Sequence, residues 1–127
     1  GSPWRLVVTA TGECGQTCLE LLNEARQINV ALGREAGRVE HLVALGEPAP
    51  DALRERLDRE YPRMQQTELD ADAYRRSLTS HPSEWREGPQ LWLIDPLGRV
   101  VLHQAADEPG KQLLDDLKHL LKVSKVG

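Results

Sequence analysis

Trp4-Arg5-Leu6-Val7-Val8-Thr9-Ala10-Thr11-Gly12-Glu13-Cys14-Gly15-Gln16-Thr17-Cys18 is the stretch that decides the fold. Trp4 to Thr9 is a near-continuous apolar run, the mark of a strand covered on both faces. It leads into the only two cysteines of the chain, placed where a helix is expected to begin. A helix N-terminus favours the thiolate, which is both the nucleophile and the metal ligand. On a helix, positions i and i+4 face the same way with Cα atoms about 6 Å apart, within reach of a disulfide. Cys14 and Cys18 can therefore pair with each other or jointly grip a soft metal ion. A bridge across so short a loop constrains the unfolded chain little, so the pair reads as chemistry before structure.

Outward from this stretch, strands and helices alternate. From about Gln16 to Leu32 the residues Leu19, Leu22, Ala25, Ile28 and Leu32 recur at helical spacing, and Gly33 supplies a stop. Val39 to Leu45 reads as a second strand, ended by Gly46-Glu47-Pro48. Asp51 to about Glu60 reads as a charged helix with Leu53 and Leu57 inward. Its charges Arg54-Glu55-Arg56 and Asp58-Arg59-Glu60 form a solvated face. Met64 to Leu69 is expected as a short strand, Ala71 to Leu78 as a short helix and His81 to Pro89 as a loop. Leu91 to Asp95, a turn at Pro96-Leu97-Gly98, and Val100 to Gln104 spell a hairpin. Pro109-Gly110 introduces a last helix, Lys111 to about Val123, with Leu113, Leu114, Leu117, Leu120 and Leu121 as its stripe. The expected class is α/β, a mixed central sheet flanked by helices on both faces, with Arg5 to Thr9 central and Leu19, Leu22, Leu117 and Leu120 in the core.

The chain of 127 residues suits one domain, residues 4–127, with Gly1-Ser2-Pro3 read as a cloning scar. A net charge of −4 leaves no basic field to hold nucleic acid or an anionic membrane. No apolar run approaches the roughly 18 residues of a spanning helix. Because the first strand follows the scar at once, a natural N-terminal membrane anchor or signal is expected to have been trimmed.

With the CxxxC after the first strand and the hairpin in place, the chain resembles the thioredoxin superfamily. Within it, it resembles the Sco-like proteins of cytochrome c oxidase assembly, in a membrane-anchored bacterial branch. The matching stretches are Leu6 to Cys18, Leu91 to Val100 and the tail Asp116 to Gly127. The resemblance implies a thioredoxin-like fold and a monomeric periplasmic domain tethered to the inner membrane. The implied partners are the thiols of a cytochrome c oxidase subunit or a copper chaperone.

Two chemistries follow from the resemblance. In the favoured one, thiol-disulfide exchange with no cofactor, Cys14 attacks and Cys18 resolves. Pro89 then stands where related reductases place a cis-proline facing their cysteines, so a cis Gly88–Pro89 bond is expected. In the alternative, Cys14, Cys18 and His81 hold one Cu(I). A Sco site uses two cysteines and a histidine, but the histidine register falls here on Glu87, a hard oxygen donor unsuited to Cu(I), and Leu19 replaces the proline that follows the second cysteine. A third reading is a non-catalytic interaction module with a structural disulfide. Among the other histidines, His41 is expected as a partly buried or edge residue, His103 as solvent-facing and His119 on the last helix among lysines and leucines, the last two being poor ligand candidates. Trp4 and Trp92 are expected in the core, and Trp85 either covers the cysteines or anchors a partner, or else simply packs its own loop.

Overall fold

The computed structural model describes residues 2–108 and 110–124. The expectations placed on Pro109 and on the tail residues Lys125, Val126 and Gly127 lie outside the described residues, as does Gly1. The chain runs β1 (Trp4–Ala10), α1 (Gln16–Ala31), β2 (Val39–Leu45), α2 (Asp51–Glu60), β3 (Met64–Glu68), α3 (Ala71–Ser77), β4 (Gln90–Ile94), β5 (Val100–Ala105) and α4 (Gly110–Val123). Short 3-10 turns at Gly33–Arg38 and Ser83–Arg86 precede β2 and β4.

The five strands form one mixed sheet in the order β3-β2-β1-β4-β5. β1 is central and parallel to β2, which is parallel to β3; β4 runs antiparallel to both β1 and β5. Each parallel step is joined by a helix, and the antiparallel step β4-β5 by a tight turn, as connection lengths require. In that turn Gly98 takes a positive φ of 87°, and the buried Asp95 carboxylate accepts hydrogen bonds from the Leu97 and Arg99 amides and from Arg99 Nε. The backbone bond from Arg99 is the largest reason its carboxyl titrates below the usual range.

Strand alternation divides the sheet into two unlike faces. Trp4, Leu6, Val8 and Ala10 of β1, Val39 and Val43 of β2, and Leu91 and Leu93 of β4 join one core cluster with residues of α1 and α4 and with Leu57 at the end of α2. Leu22 and Leu117 are fully buried there as expected, whereas Leu19 and Leu120 only flank the core. The helices are rotated slightly from the sequence reading: Cys18, Leu21, Leu22, Ala25 and Ile28 fill the inner side of α1, and Leu113, Leu117 and Leu121, at strict i, i+4 spacing, that of α4.

The opposite face carries Thr9, Gln90 and Trp92, and it is met by Tyr74 of the seven-residue α3 and by Trp85 of the loop before β4. Trp92 donates from Nε1 to Thr9 Oγ1 at 2.9 Å, and the Thr9 hydroxyl is also 3.0 Å from Tyr74 Oη. Here two expectations change. His103 does not face solvent: its ring lies 4.1 Å from that of Trp85 and 4.5 Å from that of Trp92, and it hydrogen-bonds Gln90. β5 is a half-covered strand, and the loop folds back over the side that sequence alternation assigns to water. Trp85 packs its own loop region, stacked with both His103 and His81.

Candidate functional site

The two cysteines lie just beyond the C-terminal end of the central strand. β1 ends at Ala10, the chain turns through Thr11 to Gly15, and α1 begins at Gln16 with Gly15 as its N-cap. Only Cys18 is therefore helical, in the first turn, while Cys14 precedes the cap; the expected i, i+4 pair on one helix face becomes a pair straddling the helix start. The sulfurs are bonded to each other, with Cα atoms 5.1 Å apart. Cys14 is half-buried and Cys18 is fully buried in the core cluster.

This asymmetry decides what each sulfur can do. The accessible one can be approached by another molecule, and the buried one only by its partner cysteine. In the reduced protein both thiols would sit at the positive end of α1, whose first turn carries no acidic residue to oppose a thiolate.

A glycine supports the loop that carries Cys14. Gly46, at the end of β2, donates its amide to Ala10 O at 2.8 Å, and a Cβ there would run into the backbone of Thr11. The sequence shows Gly46 only as a strand terminator. The close approach depends on the parallel register that sets Leu45 beside Ala10.

The residues expected to join the cysteines are placed as follows. The Gly88–Pro89 bond is trans, so the expected cis isomer is not formed. Gly88 turns the chain instead, through a positive φ of 67°, and Gln90 Nε2 holds the loop by donating to the carbonyls of Glu84 and Glu87. His81 is exposed and stacks on Trp85 with ring centroids 5.2 Å apart. No group of three or more His, Cys, Asp or Glu side chains among the described residues is arranged to hold a metal ion. Two thiolates are thus available when the bridge is open, but the three-ligand Cu(I) set of Cys14, Cys18 and His81 is not assembled. Glu87, at the register of the Sco histidine, is exposed.

The histidines differ in electrostatics as well as position. Burial lowers the pKa of His103, opposed by Glu108 and reinforced by His81. His41 is almost wholly buried on the core face, and burial pushes it down to about 4.

A family model described as a transmembrane-like, thioredoxin-like, C-terminal domain matches residues 4–124. Among solved structures, yeast Sco1 with copper bound superposes with a TM-score of 0.68 at 17% identity, over 96% of this chain and 80% of its own. The thioredoxin domain of a thiol-disulfide oxidoreductase from Bacteroides vulgatus gives 0.62 at 16% identity, over 94% and 80%. Bacillus BsSco, described as a member of the Sco family of cytochrome c oxidase assembly proteins with a disulfide switch, gives 0.60 at 12% identity, over 96% and 82%. No curated protein matches the chain in sequence. Among the described residues no helix is long and apolar enough to cross a membrane. With nearly its whole length matched, this chain belongs to the transmembrane-like, thioredoxin-like C-terminal domain family and carries the thioredoxin fold in a form that Sco proteins share.

Proposed function

We propose that this domain is a thiol-disulfide oxidoreductase of cytochrome c oxidase assembly, working as a monomer in the periplasm from a tether in the inner membrane. Its partner is a disulfide formed between the copper-ligating cysteines of an oxidase subunit or of a copper chaperone. The observation that carries the reading is the Cys14–Cys18 bridge, with one sulfur approachable and the other buried at the first turn of α1. The likeness to Sco structures supports the setting, and the family's description as transmembrane-like supports the tether.

In the reduced protein the Cys14 thiolate attacks one sulfur of the partner disulfide. A mixed disulfide forms, and the partner's other sulfur leaves as a thiolate that takes a proton from water. The Cys18 thiolate then attacks Cys14 Sγ, closing the bridge seen here and expelling the first partner sulfur as a second thiolate. Two electrons pass to the partner. A dithiol reductase must return two electrons to Cys14 and Cys18 before the next cycle.

The test is a Cys18→Ser variant, reduced and mixed with an oxidised peptide carrying the two cysteines of an oxidase copper site. A mixed disulfide through Cys14, absent from Cys14→Ser, is expected by mass measurement. A bridge that glutathione or dithiothreitol cannot open in the folded protein, or no mixed disulfide with either variant, would leave the structural-disulfide reading standing.

The copper-bound Sco relative favours a second reading, in which the reduced protein carries Cu(I) as cargo. The residues present supply two thiolates and no assembled third ligand, so Cu(I) should bind more weakly than in a three-ligand Sco site.

A further inference from the structure

His41 lies at the other end of the sheet and takes no part in the cysteine chemistry. It is 6% exposed, and neither of its ring nitrogens has a hydrogen-bond partner. An unpartnered buried polar atom costs about 1–3 kcal/mol, so two on one ring call for an explanation. Directly opposite in the parallel register of β2 and β3 stands Met64, 7% exposed and the only methionine of the chain. Neighbouring strands run about 4.8 Å apart and paired residues point to the same face, so imidazole and thioether lie side by side. Both line one cleft of about 310 Å³ between α1 and the end of α2, with Val30, Tyr61 and Pro62 among its walls.

We propose that His41 and Met64 form a soft-metal site, separate from the cysteines, that takes Cu(I) through one imidazole nitrogen and the thioether sulfur. A thioether selects soft cations such as Cu(I) over the hard divalent ions, and imidazole is a suitable second donor. The imidazole must be neutral to ligate, and a desolvated ring is. Ligation breaks no existing side-chain hydrogen bond of His41 and gives an orphaned nitrogen its partner. Charge is the opposing consideration. Arg26 and Arg63 line the same cleft, and so does Glu60. The Arg26 guanidinium is engaged by the Glu60 carbonyl, by Asn23 and by the Tyr61 ring over which it stacks, and the Glu60 carboxylate is already paired with Arg56 and Arg59, so a bound cation must be held by the two donors themselves. His41 pairs with Leu6, near the start of β1, whereas the cysteines follow its far end, so loading should not depend on the state of the bridge.

The probe is Ag(I), which has the charge and closed d shell of Cu(I) without its redox chemistry, added to the full oxidised chain in which Cys14 and Cys18 are bonded and cannot ligate. The single methionine gives one methyl resonance. One equivalent of Ag(I) should shift that methyl and the His41 ring nitrogens together. Met64→Leu, a swap that keeps core volume, should weaken binding at least tenfold while the protein stays folded, and Cu(I) competition on the Cys14→Ser/Cys18→Ser protein should again give one equivalent. A Met64 methyl unmoved at one equivalent, shifts confined to His81, His103 or His119, or Met64→Leu binding as tightly as the parent would each overturn the site.

Discussion

The two faces of the sheet are closed by different means. One is covered by α1, α2 and α4, whose apolar side chains interdigitate with Leu6, Val8, Val43, Leu91 and Leu93 in a single cluster that includes Cys18. The other is met by a seven-residue helix and a loop, locked through hydroxyls and rings: Thr9 to Trp92 and Tyr74, Trp92 to His103, and His103 to Trp85 and His81. The first closure is non-directional and rests on area removed from water. The second rests on geometry at a few atoms, and two of its rings, His81 and Trp85, belong to the segment leading to Glu87, Gly88 and Pro89. The difference suggests a division of labour in which the first face holds the buried sulfur in place and the second holds the loop that approaches the cysteine end.

If that division is right, deletions should hurt the first face most. Leu117→Ala removes a fully buried side chain between α4 and the sheet and should cost about 3 kcal/mol by urea unfolding. A loss below about 1 kcal/mol would mean that α4 is not part of the core. Gly46→Ala is next. Its Cβ meets Thr11 backbone, which cannot swing aside as a side-chain end would, so about 2 kcal/mol should be lost with a change in the rate at which dithiothreitol opens the bridge. An unchanged rate would show that Gly46 does not position the Cys14 loop.

On the second face the unit of loss is a single hydrogen bond. Thr9→Val keeps the shape but leaves Trp92 Nε1, in a side chain 4% exposed, with no acceptor, at a cost of about 1–2 kcal/mol. Tryptophan fluorescence should shift as the rings of Trp85 and Trp92 loosen, and a variant as stable as the parent would show that the hydroxyl does not lock this face.

The pH dependence separates the faces in another way. Burial lowers the His103 pKa in the folded protein, so protonation favours the unfolded chain. The contribution of the neutral ring is complete above the unfolded value of about 6.5 and declines as pH falls below it. His41 adds a slope of the same sign from the core face. The informative quantity is therefore the difference between the parent and His103→Phe, which keeps a ring against Trp85: the variant should lose less stability between pH 7 and 5. Equal losses would mean that His103 titrates as a surface residue.

What the sequence makes legible follows the same division. The core face is written in short-range periodicity, so β2 and α2 fall on the residues that alternation and helical spacing name, Val39 to Leu45 and Asp51 to Glu60. The second face is written in pairs that lie far apart, such as Thr9 with Trp92 and Thr9 with Tyr74, and no periodicity joins them. This is why His103 reads as solvent-facing although a ring covers it. The cysteine pair is legible as a pair, but its placement across the helix start is not, because a glycine N-cap at Gly15 gives no side-chain signal. The cis-proline expectation rested on register alone, and register does not reveal that Gly88 can make the same reversal with a positive φ.

The smallest effect should come from His81, the residue that the copper alternative needs most. Its ring is exposed and stacks on Trp85, so His81→Ala removes one ring contact made by an exposed residue. Exposed contacts of this kind change stability by less than about 0.5 kcal/mol. If Cys14 and Cys18 are the only ligands the reduced protein offers at this end, Cu(I) affinity measured by competition should also change less than about twofold, roughly 0.4 kcal/mol. Glu87→His is the complementary substitution. It puts an imidazole at the register where a Sco site has one and should tighten Cu(I) binding in the reduced protein, while the oxidised protein shows no such gain because its sulfurs are bonded to each other. A loss of tenfold or more in His81→Ala would mean that the loop leaves Trp85 to deliver His81 to the cysteines, and the copper reading would then displace the redox one.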